Sequence, residues 1–178
     1  MDDQLENVIL VTADNTAIGQ AKKLDAHRRG LLHRAFSVFL FDTDGKWVLQ
    51  KRAQHKYHSG GLWANACCGH PRPGEDIKDA AERRLYEEIG LRETLAPRLT
   101  TQYSCALDNG MHEHEVVTLF TGWLRQSPRL NPREASHWAA EHPDDVKIKV
   151  KKYPDHYAYW LRFYVETHYA DLCHPAWP

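Results

Sequence analysis

Three carboxylates, Glu75, Glu87 and Glu88, fall between Gly69 and Gly90, in a stretch entered through Cys68-Gly69-His70-Pro71. Clustered carboxylates hold hard divalent cations, and such cations serve diphosphate chemistry. A plain surface helix needs neither a glycine at each end nor a thiol and an imidazole at its entrance. In an extended segment alternate side chains share a face, so Cys68 and His70 point together and Cys67 points away, into the core. A second candidate is Met111-His112-Glu113-His114-Glu115. Read as a strand, it puts Glu113 and Glu115 on one face and His112 and His114 on the other. Either pair could ligate a metal, and carboxylate with imidazole suits Mn2+, Mg2+ or Zn2+. The bland alternative is a polar strand end in water.

Other groups gain meaning only in company. His27 and His33 are separated by a short polar connection; alone, His27 reads as a loop residue and His33 as the polar start of an apolar strand. Lys23, Arg52, Lys56 and Arg84 lie in different segments, and charged side chains are mostly solvated. A diphosphate ligand would give them a shared purpose, since guanidinium forks and ammonium groups both bind phosphate. Trp160 sits among Tyr157, Tyr159, Phe163 and Tyr164, a density more typical of a core, although an exposed ring face would stabilise a positive centre. The pairs Asp79/Arg83, Arg83/Glu87 and Arg84/Glu88 are spaced to lace a helix face.

The elements that must position these groups can be read from pattern. The chain has 178 residues, enough for one domain, and 42% are hydrophobic, so a packed core is expected. A net charge of −1 gives no reason to bind nucleic acid or an anionic membrane. No apolar run approaches the ~20 residues of a membrane span, and the acidic start lacks a signal pattern, so a cytoplasmic protein is expected. Four cysteines do not make a disulfide framework. Strands are expected at 8–11, 34–41, 47–51, 100–106 and 115–124, with a short one at 136–138. Turns are expected at Asp14-Asn15, at Asp42–Gly45 and at Asp108-Asn109-Gly110. Lys22–Gly30 reads as a polar connection and His55–Gly61 as a loop. Helices are expected at Asp76–Ile89, with Ala80, Leu85 and Ile89 as its apolar stripe and Gly90 as its C-cap, and at Asp155–Tyr169. Strands in the middle followed by helices predict an α+β fold, a mixed sheet with helices packed on it.

The frame Gly69, Glu75, Arg83, Leu85, Glu87, Glu88, Gly90, Leu91 resembles the Nudix box, G-x5-E-x7-R-E-U-x-E-E-x-G-U, with U a bulky aliphatic residue. Arg84 stands where that box has a glutamate, a metal-holding residue in the Nudix pyrophosphohydrolases, and this argues against hydrolysis. Further stretches resemble the type 1 isopentenyl-diphosphate isomerases: Lys23–His27, Leu31–Phe41, Arg52-Ala53, Trp63–Pro71, Tyr86–Gly90 and Glu113–Val116. The likeness runs from about Ile9 to the 160s.

The resemblance implies an α/β/α sandwich, a Nudix-type mixed sheet between helices. The Nudix domain would span 31–165, with residues 1–30 packing on or closing over the active site and 166–178 as a tail. It implies a divalent metal, Mn2+, Zn2+ or Mg2+, held by His27, His33, His70, Glu113 and Glu115. A second ion, Mg2+, would meet Glu88 and the Cys68 carbonyl together with substrate diphosphate. Cys68 and Glu115 would transfer protons on opposite faces of the substrate, with Tyr103 assisting beside Glu115. Lys23, Arg52, Lys56 and Arg84 would face the diphosphate, and Trp160 the pocket. The implied reaction interconverts isopentenyl and dimethylallyl diphosphate through a tertiary carbocation. A thiolate at Cys68 would need a positive neighbour, His70 or Mg2+. The implied partner is a small prenyl diphosphate, with no nucleic acid or membrane, in a monomer or weak dimer. The alternative reading is a Nudix pyrophosphohydrolase.

Overall fold

The chain folds around a nine-stranded mixed sheet. The structure, a computed structural model, describes residues 6–107 and 109–174. Asp108 of the expected turn, and the outermost residues of the 1–30 and 166–178 segments, lie outside the described residues. In chain order the elements are β1 (Asn7–Val11), β2 (Ala17–Lys22), α1 (Lys23–Arg29), β3 (His33–Phe41), β4 (Trp47–Arg52), β5 (Trp63–Asn65), β6 (Cys67–Gly69), α2 (Ile77–Ile89), β7 (Ala96–Ala106), β8 (His112–Trp123), β9 (Ala135–Glu141), α3 (Pro143–Lys152), α4 (Tyr159–Thr167) and α5 (Tyr169–Leu172).

Strand β3 is the spine. It runs parallel to β8 from His33↔Glu115 to Phe41↔Trp123, and antiparallel to β6 from Phe36↔Gly69 to Val38↔Cys67. Alternation along β3 then splits the core in two. Ala35 and Phe39 pack with Trp160, Leu161 and Tyr164 of α4 on one face. Phe36, Val38 and Leu40 pack with Ala80, Ala81, Leu85 and Ile89 of α2 on the other. The same alternation sends Cys68 to the α4 face and the fully buried Cys67 to the α2 face. Helices on both faces of a mixed sheet make the α+β, three-layer arrangement expected from sequence.

Helix α2 begins and ends where its sequence says. The Asp76 side chain accepts from the Lys78 and Asp79 amides, capping the first turn. Gly90 closes the helix in the left-handed region at φ 71°, and a Cβ there would lie 2.8 Å from the Arg129 carbonyl oxygen. The segment that presses on Gly90 finishes the helix end: the Arg129 and Asn131 amides donate to the Ile89 and Glu88 carbonyls, and Asn131 Nδ2 donates to Glu87 O. This docking carries Glu134 to the helix face. Gly69 at the other end of the frame is a close approach, since a Cβ would meet the Phe36 ring at 3.1 Å.

Several elements differ from expectation: β2, β5 and α3 were not expected, and two further stretches change character. Lys22–Gly30 is not a bare connection: Lys23–Arg29 is helical, ends at Gly30 with φ 62°, and buries Ala26 and His27. The helix expected at 155–169 starts only at Tyr159. Pro154–His156 form a 3-10 turn, after which Tyr157 bridges Trp63 and the Ala158 amide donates to Trp63 O, so Tyr157-Ala158 are extended and add to the edge of β5. Beyond residue 165, α4 continues to Thr167, and α5 returns the buried Leu172 to the core, where its carbonyl accepts from Trp47 Nε1. No helix among the described residues is long and apolar enough to cross a membrane.

Candidate active site

A pocket lies beside β3, lined from α2 as well as from α4, and its two ends differ in chemistry. At the first end, β3 and β8 set His33 and Glu115 side by side in register, and α1 brings His27. Glu113 and Glu115 face inward and are buried, while His112 is exposed. Of the two pairs left open by the sequence, the glutamates therefore face the site. His114 is turned aside, its Nδ1 within 3.0 Å of Gly30 O.

The imidazoles of this end are oriented by backbone. Nδ1 of His27 lies 2.7 Å from Lys23 O, and Nδ1 of His33 lies 2.7 Å from Leu31 O. A carbonyl only accepts, so each Nδ1 carries a proton and each ring turns its Nε2 inward. His33 Nε2 is 3.2 Å from His70 Nε2, and His70 Nε2 is 2.8 Å from Glu115 Oε1. His27 Nε2 lies 3.2 Å from Glu113 Oε2, yet both atoms are buried without a hydrogen-bond partner. A buried imidazole nitrogen facing a buried carboxylate oxygen calls for positive charge between them, supplied by a proton on His27, whose pKa Glu113 helps to raise against burial, or by a metal ion. The ligand atoms of His27, His33, His70 and Glu115 lie within 4.8 Å of one another, a set that fits a divalent metal. Glu113 falls in an adjoining group with His27 and His58. Four of the five residues named for this metal thus converge directly, and the fifth joins through His27.

Charge at this end follows from burial and pairing. Burial would raise Glu115, but hydrogen bonds to His33 and His70 and the electrostatic pull of those rings hold it well below the ordinary carboxylate range. Glu113 goes the other way, raised by burial and by the Glu115 charge beside it. Burial pushes His70 down to about 4 against the pull of Glu115. His58 is likewise held well below the usual imidazole value, first by burial and then by Arg52.

Between the two ends lie the groups that could move protons. Cys68, in register with Ser37, is within 3.1 Å of Ser37 Oγ and donates to Asn65 Oδ1 at 3.2 Å. Asn65 Nδ2 is committed to Val38 O and Cys67 O, so its oxygen must face the thiol. Burial pushes the Cys68 thiol up to about 12. Burial thus favours the uncharged forms of both Cys68 and His70, and of the two positive neighbours expected for a thiolate, His70 or Mg2+, it disfavours His70. Across β3, Tyr103 Oη donates to Glu115 Oε2 at 2.7 Å.

The second end is built on Arg84. Its Nη1 donates to Glu87 Oε2 and its Nη2 to Glu88 Oε1, each at 2.7 Å, and Nη2 lies 3.3 Å from Glu134 Oε2. Burial would lower this guanidinium, but Glu88 and Glu134 hold its proton more tightly than usual. The second Glu88 oxygen accepts from Gln50 Nε2 at 2.7 Å. Arg84 thus occupies a three-carboxylate cluster and does not reach into open space. Glu134 also holds Lys56 Nζ at 2.9 Å, and Lys23 Nζ pairs with Glu6 at 2.8 Å. Arg52 lies 5.2 Å above the Trp160 ring, so its cation and that aromatic face form one wall. Glu75, counted among the acidic cluster, is not in the pocket: it takes Arg83 in a two-point pair at 2.7 and 2.9 Å and accepts from the Arg72 amide, bracing the turn before α2.

Cys68, His70, Tyr103, Glu113, Glu115, Glu88, Lys23, Arg52, Lys56, Arg84 and Trp160 all line this one pocket, with His27 and His33 buried behind it. Sequence reasoning missed Ser37, His58, Asn65 and Glu134. His58 had a faint signal in its His- and Gly-rich loop; the others had none that a single sequence offers.

Comparison with known proteins agrees with this geometry. The NUDIX domain family matches residues 31–163. The isopentenyl-diphosphate Delta-isomerase of Pectobacterium atrosepticum is 42% identical over 89% of this chain and 88% of its own. The protein of that name from Burkholderia multivorans is 51% identical over 75% of this chain and 76% of its own. Among solved structures, DR0079 from Deinococcus radiodurans superposes with a TM-score of 0.74 at 18% identity, over 90% of this chain and 98% of its own, a likeness of fold. The chain belongs to the NUDIX family and, within it, to the isopentenyl-diphosphate Delta-isomerases.

Proposed function

We propose that this enzyme interconverts isopentenyl diphosphate and dimethylallyl diphosphate by protonation and deprotonation, a step of isoprenoid biosynthesis. The observation that carries the reading is the placing of Cys68 and Glu115 on the strands either side of β3, lining one pocket. Moving the double bond requires a proton added at the terminal alkene carbon and another removed from the carbon next to the diphosphate-bearing one. Burial favours the protonated Cys68 thiol, and the bonds to His33 and His70 favour the Glu115 carboxylate, one donor and one acceptor for this exchange. One of the two donates to the terminal carbon, a tertiary cation forms, and the other takes the allylic proton; the reverse reaction exchanges the roles. Tyr103 keeps a hydroxyl proton against Glu115 Oε2 and fixes which way the carboxylate faces.

The cation must be kept from water, and Trp160, Tyr103 and the packed α4 supply a wall without a free base. The Trp160 face, already beneath Arg52, favours positive charge. Lys23, Arg52 and Lys56 bind the diphosphate, anchoring it away from the cationic carbon. A divalent metal, Mn2+, Zn2+ or Mg2+, in the His27, His33, His70, Glu113, Glu115 set would neutralise the buried carboxylates and fix Glu115 in place. Glu88 would meet Mg2+ brought with the diphosphate, for which Arg84 must yield Glu88 Oε1. We expect a cytoplasmic monomer or weak dimer in which residues 1–30 close the pocket over a 31–165 domain, leaving 166–178 as a tail.

Arg84 in place of the box glutamate, tied to three carboxylates, favours this reading over pyrophosphate hydrolysis. The test is proton NMR of isopentenyl diphosphate with enzyme and Mg2+ in D2O. Dimethylallyl diphosphate carrying deuterium in a methyl group is the expected product. Released phosphate with the double bond unmoved would instead establish a hydrolase.

A further inference from the structure

His58 stands outside the ligand set above, yet it is buried against it. Its Nε2 lies 3.3 Å from Glu113 Oε1, while Glu113 Oε2 lies 3.2 Å from His27 Nε2. One carboxylate therefore divides its oxygens between two imidazoles, and the two sides are not alike. On the His27 side the ring proton is committed to Lys23 O, and the facing atoms have no hydrogen-bond partner. That is a place for a cation. On the His58 side, Nδ1 lies 3.2 Å from Ser59 Oγ. A hydroxyl can donate to Nδ1, which leaves the ring proton on Nε2, facing Glu113 Oε1.

The ring is also held. It stacks on His27 at 5.9 Å and meets the Trp160 ring edge-on at 5.8 Å. Its loop is tied down by Asn109 Nδ2 donating to Tyr57 O at 2.7 Å and by Arg52 donating to His58 O at 3.3 Å. Ser59, the next residue, sits in the left-handed region at φ 50°, a conformation kept only where its surroundings impose it.

We propose that His58 is a positioning residue for the metal centre: its Nε2–H holds Glu113 Oε1, so that Oε2 is presented beside His27 Nε2 to the cation. The inference rests on the metal centre proposed above. Ligating carboxylates are themselves held by hydrogen bonds, and loss of such a partner typically weakens metal binding by about 10–100-fold. With Oε1 engaged, Glu113 presents one fixed oxygen; without His58 the carboxylate is free to turn away from the metal.

The experiment is titration of the full-length protein with Mn2+, free Mn2+ being read by its electron paramagnetic resonance signal, together with the visible spectrum of the Co2+ form. His58→Ala is expected to bind Mn2+ about 10–100-fold more weakly. His58→Gln, whose amide N–H reaches the same oxygen, is expected to stay within a few-fold of the parent and to keep its Co2+ spectrum. Thermal melts of the metal-free variants show whether each is folded. Parent-like affinity in His58→Ala would overturn the proposal. So would His58→Gln as weak as His58→Ala: with an altered Co2+ spectrum it makes His58 a direct ligand, and with an unaltered one it reduces His58 to packing. The underlying metal centre fails separately, if the parent binds no Mn2+ or if His33→Ala binds it as the parent does.

Discussion

The two ends of the pocket are both rich in carboxylates, but only one is complete as the chain stands. At the α2 end, Glu87, Glu88 and Glu134 close around Arg84, so a cation is already supplied in covalent form. At the β3–β8 end, Glu113 and Glu115 meet four imidazoles, and the facing atoms His27 Nε2 and Glu113 Oε2, 3.2 Å apart, are buried without a hydrogen bond. Satisfied charge at one end and an unbonded facing pair at the other indicate where a resident ion belongs. They also indicate where an ion must displace a side chain to enter.

The largest effect should come from the groups between the two ends. Cys68→Ala or Glu115→Gln is expected to lower turnover by at least the ~10²–10⁴-fold that a positioned acid or base provides. Single-turnover kinetics on isopentenyl diphosphate checks this, and a loss under tenfold in both would remove these residues from the proton path. Because burial holds the Cys68 thiol at about 12, the rate should show no thiol titration between pH 7 and 9. An alkaline limb in that range, abolished in Cys68→Ser, would mean that the working thiol is far more acidic than in the resting pocket.

The α2 end can be broken by Arg84→Gln, which leaves Glu87, Glu88 and Glu134 facing one another. Removing one partner of a buried ion pair costs about 3–5 kcal/mol, and the low end applies beside an open pocket. For a domain of this size that lowers Tm by at least roughly 6 °C, measurable by thermal melts. Added Mg2+ should restore part of the loss, since the cluster would then lack its built-in cation. A variant as stable as the parent would show that the cluster is solvated and that the contrast between the ends is false. At the other end the prediction is reversed: the parent itself should gain from an ion. Mn2+ at about 100 times its Kd should add about 2.7 kcal/mol, and His33→Ala should lose that gain. A chelator-insensitive melt in the parent would contradict the metal centre.

Much of this was legible beforehand, and the reasons for success and failure are local. Helix α2 was readable because its limits are written in its own residues, the Asp76 cap and the Gly90 stop. The inward glutamate face of β8 was readable as one of two alternatives, and only the packing of the sheet chose between them. Helix α1 was not readable: seven mostly polar residues are too few to form a helix alone, and it exists because His27 and Ala26 are buried. Strand β2 was missed because AIGQAK carries no alternation; it is exposed nearly throughout and held by its ladder to β1. Glu134 lies on a segment recruited by the end of α2, and His58 on a loop pinned by Asn109. Such placements arise from contacts distant in sequence, which no spacing within one segment encodes.

The finest test of the comparison uses pH. Glu134 sits below the ordinary carboxylate range; burial would raise it, but the Arg84 charge and the Lys56 bond outweigh burial. A carboxylate depressed in the folded state contributes stability that is fully present above its unfolded value, near 4.3, and is lost as pH falls through the folded value. Glu134→Gln removes that contribution at every pH. The variant should therefore be less stable than the parent at pH 7, with the gap closing as pH drops below about 4.3. Unfolding midpoints from pH 7 to pH 3 measure it. A gap that stays constant would mean the Gln variant loses packing and not charge. A gap that closes only when Arg84 is present would assign the coupling to the guanidinium, making the α2 end a self-contained ion cluster and leaving the need for a resident metal to the β3–β8 end.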